Sequence, residues 1–271
     1  MSNFSISQQA GEVVAIARHA GDAIMRIYKA YQAGSAGDDL IQSKADQSPL
    51  TQADLTSHHV ICNGLTLLTP DIPVVSEEDE QSESFRQSSH TFWLIDPLDG
   101  TKEFIACNDE FTVNIALVEN GLATWGVVHA PALGQTYWGG SAHGSLREDS
   151  SGQTSLRVAN QLSTASSCRV VASKSHLNTE TADFIAQLGD VELVQAGSSL
   201  KFCKVAEAAA DIYPRLAPTC EWDTAAAQAV LEGAGGYVVD TSGQRLHYGK
   251  ADKLNPFFVA AAYSISHLLS R

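Results

Sequence analysis

The stretch Trp93-Leu94-Ile95-Asp96-Pro97-Leu98-Asp99-Gly100-Thr101-Lys102-Glu103-Phe104 constrains this chain more than any other. Residues 91–95 (TFWLI) read as a buried strand, and that strand delivers Asp96 at its C-terminal end. Pro97 has no N–H to give a ladder and stiffens the exit. Asp99 follows three residues after Asp96, so one tight turn can aim both carboxylates at one point. The Leu98 carbonyl lies between them as a third oxygen. Gly100 lets the backbone approach a ligand closely. Thr101 then opens a short helix whose free N–H groups form an anion site. Hard oxygen ligands beside such a helix end suit Mg²⁺ and phosphate together. An aspartate-rich turn with an N-cap would explain an isolated D-x-x-D-G-T equally well, since Asp, Pro and Gly favour turns anyway.

Two other acidic segments add weight. Val74-Val75-Ser76-Glu77-Glu78-Asp79 places the Glu77 carboxylate at the end of a short apolar strand. For Glu78, Asp79 and Glu80 a solvated acidic loop is the better reading. Glu221-Trp222-Asp223-Thr224-Ala225-Ala226-Ala227 places Asp223 where a helix N-cap would sit, and capping alone explains it fairly well. The small residues 225–227 also let that helix end pack closely against a neighbour, as a crowded site would require.

The 271 residues suffice for one large domain or two closely packed ones. Residues 13–31 repeat apolar side chains at helical spacing (Val13, Ile16, Ala17, Ala20, Ile24, Ile27, Tyr28, Tyr31), and a second helix starts near Ala53 with Ile61, Leu65 and Leu68 on one face. Residues 82–90 are polar and read as an exposed loop. Strands over 111–118 and 123–129 are joined at Asn120-Gly121, a strong hairpin signal. After about residue 166 strands (169–172, 191–195, 211–213, 237–239) alternate with helices (178–188, 199–210, 223–234). The expected class is α/β, with an α+β metal-binding domain over 1–155 and an α/β domain over 156–271 that completes the site. The polar stretch 148–154 marks the boundary.

A net charge of −14 repels nucleic acid and anionic lipid at long range. A small anionic substrate is still admissible if cations or a local basic patch invert the field. The five cysteines, Cys62, Cys107, Cys168, Cys203 and Cys220, are odd in number and without CxxC spacing, which fits reduced thiols better than a disulfide framework or zinc site. The N-terminus shows no signal peptide, and no run is apolar enough to span a membrane.

Taken together, Glu77 with its neighbours, D-P-L-D-G-T at 96–101, and W-D-T-A-A at 222–226 with A-G-G at 234–236 resemble the inositol monophosphatase superfamily. Finer stretches resemble one branch, the 3′(2′),5′-bisphosphate nucleotidases of the CysQ type. They are residues 44–54 (KADQSPLTQAD), 102–105 (KEFI), 111–116 (FTVNIA), 173–176 (SKSH) and 197–202 (GSSLKF). Simple inositol phosphatases usually carry an acidic residue near Arg215 to meet polyol hydroxyls. Tyr213-Pro214-Arg215 stands here instead, which argues against a polyol.

The resemblance implies a layered α-β-α-β-α sandwich and hydrolysis of 3′-phosphoadenosine 5′-phosphate to AMP and phosphate. It also implies two or three Mg²⁺ ions and lithium inhibition. Carried over, Glu77, Asp96 and the Leu98 carbonyl would bind the activating metal, and Asp96 would bridge to an ion also held by Asp99 and Asp223. Thr101, paired with Asp54, would orient the attacking water and accept its proton, with Glu77 part of the catalytic set. The Gly100 and Thr101 N–H groups would hold the phosphate. Glu77, Leu98, Asp99 and Asp223 would face the substrate as well. His176, Lys201 and Arg215 are candidates for a second phosphate, with Ser173 and Gly197 near the nucleotide. For Lys201 a solvated helix position is the competing expectation. The implied partner is a small-molecule nucleotide rather than nucleic acid, in a cytoplasmic enzyme of sulfur assimilation and nucleotide recycling. Weak inner-membrane attachment is known among relatives, although no basic amphipathic helix here would produce it. The oligomeric state stays open. The competing functions are an inositol monophosphatase or sugar bisphosphatase with the same metal cluster, and a non-catalytic nucleotide-binding protein.

Overall fold

The structure is a computed structural model that describes residues 5–35, 41–43, 49–160, 167–172 and 178–263. Ser173 and His176, and residues 44–48 of the motif that ends at Asp54, lie outside the described residues.

The chain opens with α1 (Ile6–Gln32) and, after the ribbon β1 (Ile41–Ser43) and β2 (Pro49–Thr51), α2 (Gln52–Leu68). A seven-stranded sheet follows almost as a meander. Its strands are β3 (Val74–Ser76), β4 (Thr91–Asp99), β5 (Thr112–Glu119), β6 (Leu122–Ala130), β7 (Gln135–Gly140), β8 (Gly144–Asp149) and β9 (Gly152–Ser155), neighbouring one another in sequence order. Only β3 and β4 pair in parallel. Between them lies the short helix α3 (Glu83–Ser88), and α4 (Thr101–Ile105) follows β4. The second sheet has the order β11-β10-β12-β14-β13. It is built from β10 (Cys168–Ala172), α5 (Thr179–Ala186), β11 (Val191–Gln195), α6 (Leu200–Ala206), β12 (Ile212–Arg215), α7 (Ala225–Gly233), β13 (Tyr237–Asp240) and β14 (Phe258–Ala261).

Period-two alternation along the strands sorts the side chains into three cores. Trp93, Ile95, Val113, Ile115, Leu117 and Val127 pack on the α1 and α2 residues Val13, Ala17, Ile24, Ile61 and Leu65. The opposite face of that sheet, with Phe92, Leu94, Ala116, Val118 and Val128, meets α6, α7 and the inner face of the second sheet. The outer face of the second sheet, with Val170, Ile212, Val259 and Ala261, is covered by Ile185 of α5. The result is the expected five-layer α-β-α-β-α sandwich. The small residues of α7 serve its central layer, because a Cβ on Gly126 of β6 would sit 2.7 Å from the Ala226 Cα.

The five cysteines are free thiols. No helix among the described residues is long and apolar enough to cross a membrane. The Asn120-Gly121 hairpin forms as expected between β5 and β6. Three local expectations change. Residues 82–90 are not an exposed loop: they carry α3, and Arg86 in the middle of it is 2% exposed. The polar stretch 148–154 is the β8–β9 hairpin, still within the first sheet. Strands β7, β8 and β14, which periodicity alone did not separate from loops, complete the two sheets.

Candidate active site

Strand β4 places its two aspartates through an irregularity. Asp96 lies opposite Asn114 and Asp99 opposite Thr112, so three steps on β4 match two on β5. In a regular strand, residues three apart face opposite sides of the sheet. One extra residue restores them to the same side, which is what a bulge does. Pro97 sits within the bulge, where a missing N–H breaks no ladder bond. Ser57 of α2 donates to the Pro97 carbonyl at 2.7 Å, and the Leu98 N–H donates to Asp96 Oδ1 at 3.1 Å.

Glu77 follows β3, and its N–H bonds the Ile95 carbonyl at 3.2 Å, which aligns it with Asp96 on the neighbouring strand. Asp223 arrives from the second half of the chain. It ends a 3₁₀ turn over Glu221–Asp223, and its Oδ2 accepts from Cys220 N at 2.8 Å. The N-cap position of α7 falls on Thr224, so Asp223 is not the cap that its sequence position suggests. Its carboxylate turns back into the 3₁₀ turn instead.

Carboxylate oxygens of Glu77, Asp96 and Asp223 all lie within 4.8 Å of one another. At that spacing each ionised pair repels by about 3–4 kcal/mol at an effective dielectric of about 20. Three such pairs amount to about 10 kcal/mol, comparable to the whole folding stability of a domain. Protons or a cation must therefore neutralise the trio. The carboxyl groups respond in the direction this requires. Lost hydration, then Glu77, Asp99 and Asp223, push Asp96 well above the usual carboxylate range. Lost hydration, then Asp99 and Glu77, push Asp223 up likewise, although it keeps some surface open to the cleft. Opposed ligands of Mg²⁺ are about 4.2 Å apart, twice a bond of about 2.1 Å. The donor set thus fits a small hard cation with little movement.

Asp99 is outside that trio but lines the same cleft, of about 410 Å³, with Leu98, Gly100, Thr101, Lys102, Glu103 and Pro218. Its Oδ2 is held by Ser199 Oγ at 2.8 Å, with Thr112 Oγ1 and Asn114 Nδ2 each at 3.5 Å. Ser199 Oγ also lies 3.0 Å from the Asp223 carbonyl and accepts from Asn114 at 2.8 Å. It therefore ties Asp99 to the Asp223 turn. Ser199 has no mark of such a role in the sequence beyond its place two residues after Gly197.

Thr101 and Asp54 meet as expected. Asp54 is the third residue of α2, and its Oδ2 accepts from Thr51 N at 2.7 Å and Thr51 Oγ1 at 2.5 Å in a capping box. Its Oδ1 accepts from Thr101 Oγ1 at 3.2 Å. With its proton committed to buried Asp54, the Thr101 oxygen can accept a hydrogen bond from the cleft. Gly100 precedes α4 at φ +95°, a conformation glycine adopts readily, and a Cβ there would overlap Ser198 Oγ. The rings of Phe104 and Phe111 pack on Tyr28 of α1, tilted and edge-on with centroids 5.0 and 4.8 Å away, anchoring α4 beneath the cleft.

On the far side of Asp99 and Asp223 lies a smaller recess of about 70 Å³, lined by Lys201, Phe202, Tyr213, Arg215 and Phe258 among others. Lys201 is not solvated: it is 7% exposed, with its Nζ 5.6 Å from the Tyr213 ring centroid. Burial lowers its pKa to about 8, opposed by Asp99 and reinforced by Arg215. Arg215 Nη2 donates to the Pro218 carbonyl at 3.2 Å, while its buried Nε has no hydrogen-bond partner among the described residues. Gly197 packs against Glu110, where an added Cβ would approach within 2.9 Å.

The model of the inositol monophosphatase family matches residues 7–266. The 3′(2′),5′-bisphosphate nucleotidase CysQ of Escherichia coli K12 is 46% identical over 253 residues, covering 93% of this chain and 99% of that one. The corresponding protein of Buchnera aphidicola is 35% identical over 93% of this chain and 92% of its own. Among solved structures, CysQ from Bacteroides thetaiotaomicron superposes with a TM-score of 0.81 at 37% identity, covering 96% of this chain and all of that one. The SuhB protein of Bartonella henselae shares the fold, with a TM-score of 0.77 at 23% identity.

Proposed function

The chain belongs to the inositol monophosphatase family, whose enzymes are metal-dependent, and from that premise we propose that it is a Mg²⁺-dependent 3′(2′),5′-bisphosphate nucleotidase. It hydrolyses 3′-phosphoadenosine 5′-phosphate to AMP and phosphate, in the cytoplasm and in the service of sulfur assimilation. The trio Glu77, Asp96 and Asp223 beside the Thr101–Asp54 pair supports metal-dependent hydrolysis, and the 46% identity to the Escherichia coli nucleotidase is the observation that carries the substrate.

Glu77, Asp96, Asp99, Asp223 and the Leu98 carbonyl would hold two or three Mg²⁺ ions. Bound Mg²⁺ supplies charge neutralisation at the phosphoryl oxygens and makes the attacking water more acidic. The chain's own groups do the rest. Asp54 holds the Thr101 hydroxyl so that its oxygen accepts from the water and aligns it. A threonine is a weak base, so its part is mainly orientation. The Gly100 and Thr101 N–H groups face the phosphate and stabilise charge that grows in the transition state. Lys201 and Arg215 line a recess next to Asp99, where their charge suits the second phosphate. Gly197 gives the nucleotide a close backbone approach, and Ser173 and His176 complete this side by resemblance.

The test is a comparison of phosphate release from 3′-phosphoadenosine 5′-phosphate, inositol 1-phosphate and fructose 1,6-bisphosphate at saturating Mg²⁺. The bisphosphate nucleotide should lead in kcat/KM by about tenfold or more, the scale of one retained charged contact. A preference for inositol 1-phosphate or the sugar bisphosphate would defeat the substrate assignment.

A further inference from the structure

Asp223 comes to Glu77 and Asp96 from the other half of the chain, with carboxylate oxygens of the three within 4.8 Å of one another, where the ionised groups repel. The turn that carries it is held by a neighbour to which the sequence reading gave no role. Glu221, two residues before Asp223, is 0% exposed. Its Oε2 accepts from Gly249 N at 2.8 Å and Arg86 Nη1 at 3.3 Å. Its Oε1 accepts from Lys250 Nζ at 2.5 Å and Lys250 N at 3.1 Å. Arg86 in turn donates to the Lys250 carbonyl at 2.6 Å.

These contacts join three segments. Arg86 belongs to α3, which follows closely on Glu77, and Ser82 just before α3 accepts from Ser76 N at 3.1 Å. Residues 249–255 run beside the 3₁₀ turn, with Glu221 N bonded to the Lys253 carbonyl and Asn255 Nδ2 to the Cys220 carbonyl. Lys253 reaches Glu83 at 3.0 Å and lies 5.3 Å from the Trp222 ring centroid. A continuous path therefore links the strand end bearing Glu77 to the turn bearing Asp223, and the buried Arg86–Glu221 pair is its centre.

Stability alone does not account for such a pair, because apolar replacement of a buried ion pair is often neutral or stabilising. Its directional bonds fix geometry, and partners behind a ligand set its affinity by fixing its orientation. We infer that Glu221, clamped by Arg86 and Lys250, is a positioning residue that holds Asp223 in metal-binding register with Glu77 and Asp96 against their mutual repulsion. This rests on the reading of those carboxylates as metal ligands.

The experiment is a calorimetric titration of Mn²⁺ into the metal-stripped full chain, alongside Glu221→Gln, Lys250→Met and Asp96→Asn. Glu221→Gln should weaken Mn²⁺ binding about tenfold or more, the usual scale for such partners. Raising the metal concentration should recover much of its phosphatase activity. Lys250→Met removes one partly exposed donor and should weaken binding by about two- to fivefold. A merely structural Glu221 would lower Tm and leave the Mn²⁺ affinity unchanged, and that result overturns the inference. If Glu221→Gln does not fold, Lys250→Met decides: weaker binding supports the clamp, and wild-type affinity refutes it. If wild type and Asp96→Asn both fail to bind Mn²⁺, the metal reading falls and the inference falls with it.

Discussion

Asp96 and Lys201 are both buried ionisable groups beside the same cleft, and burial displaces them in opposite directions. Asp96 is pushed up by lost hydration and by four neighbouring carboxylates, Glu77, Asp99, Asp223 and Glu78, so its surroundings compound the effect of burial. Lys201 is lowered to about 8, and Asp99 works against that displacement. One wall holds excess negative charge that a cation relieves. The other holds positive charge in a dry recess that an anion relieves. Asp99 and Asp223 line both spaces, so a bisphosphate can place one phosphate at the metals and the other near Lys201.

The largest break in this comparison is at the acidic wall. Asp96→Asn should cut turnover at saturating Mg²⁺ by about a thousandfold or more, since it removes the most buried carboxylate of the proposed metal site. Steady-state phosphate release measures this. Thr101→Ala and Asp54→Asn disturb only the orientation of water. Each should lower kcat by about a hundredfold, with little change in KM.

Changes at the basic wall should act on binding instead. Lys201→Ala should raise KM for the bisphosphate by about tenfold and leave a simple monophosphate nearly unaffected. Equal effects on both substrates would remove Lys201 from the second-phosphate site. The charge of Lys201 is present below its value of about 8, so KM for the bisphosphate should climb as pH rises past that point. In Lys201→Ala that climb should disappear.

The smallest effect is on stability. Asp96 and Asp223 titrate higher in the folded protein than in the unfolded chain. Their contribution is fully present below the unfolded carboxyl pKa of about 3.9 and is lost as pH rises through the raised folded values. The metal-free protein should therefore gain a few degrees of Tm as pH falls from neutral towards that unfolded value. Mg²⁺ at neutral pH should give a comparable gain, and Asp96→Asn should blunt both.

The acidic wall was legible in sequence because its ligands sit at marked places: Asp96 at a strand exit, Asp99 past a proline, Glu77 after an apolar pair. The bulge that turns Asp96 and Asp99 to one side was not, since it appears only in the pairing of β4 with β5. Asp223 was found as a ligand candidate, and the competing N-cap explanation stayed open in sequence because helix spacing cannot tell a cap from a 3₁₀ turn just before it. The basic wall was less legible. Lys201 occupies a helix position where lysine is ordinarily solvated, and only the fold sets its Nζ over the Tyr213 ring in a recess that Phe258 also lines. Arg86 was missed for the converse reason. Its segment is polar but for Phe85, and the carboxylate that draws it inward lies 135 residues away. The layer order came from the family resemblance, while the alternation of elements gave only the α/β character of the second half, and β14 had too little length or pattern to be distinguished.

The central claim is that Glu77, Asp96 and Asp223 form the metal centre of a nucleotide 3′-phosphatase. Its most direct test adds Mg²⁺ stepwise to metal-stripped protein with 3′-phosphoadenosine 5′-phosphate and follows phosphate release in wild type and Asp96→Asn. The account predicts a saturable rise from near zero in wild type and a flat response in the variant. Equal activity in the two proteins, or release that does not depend on Mg²⁺, would contradict it.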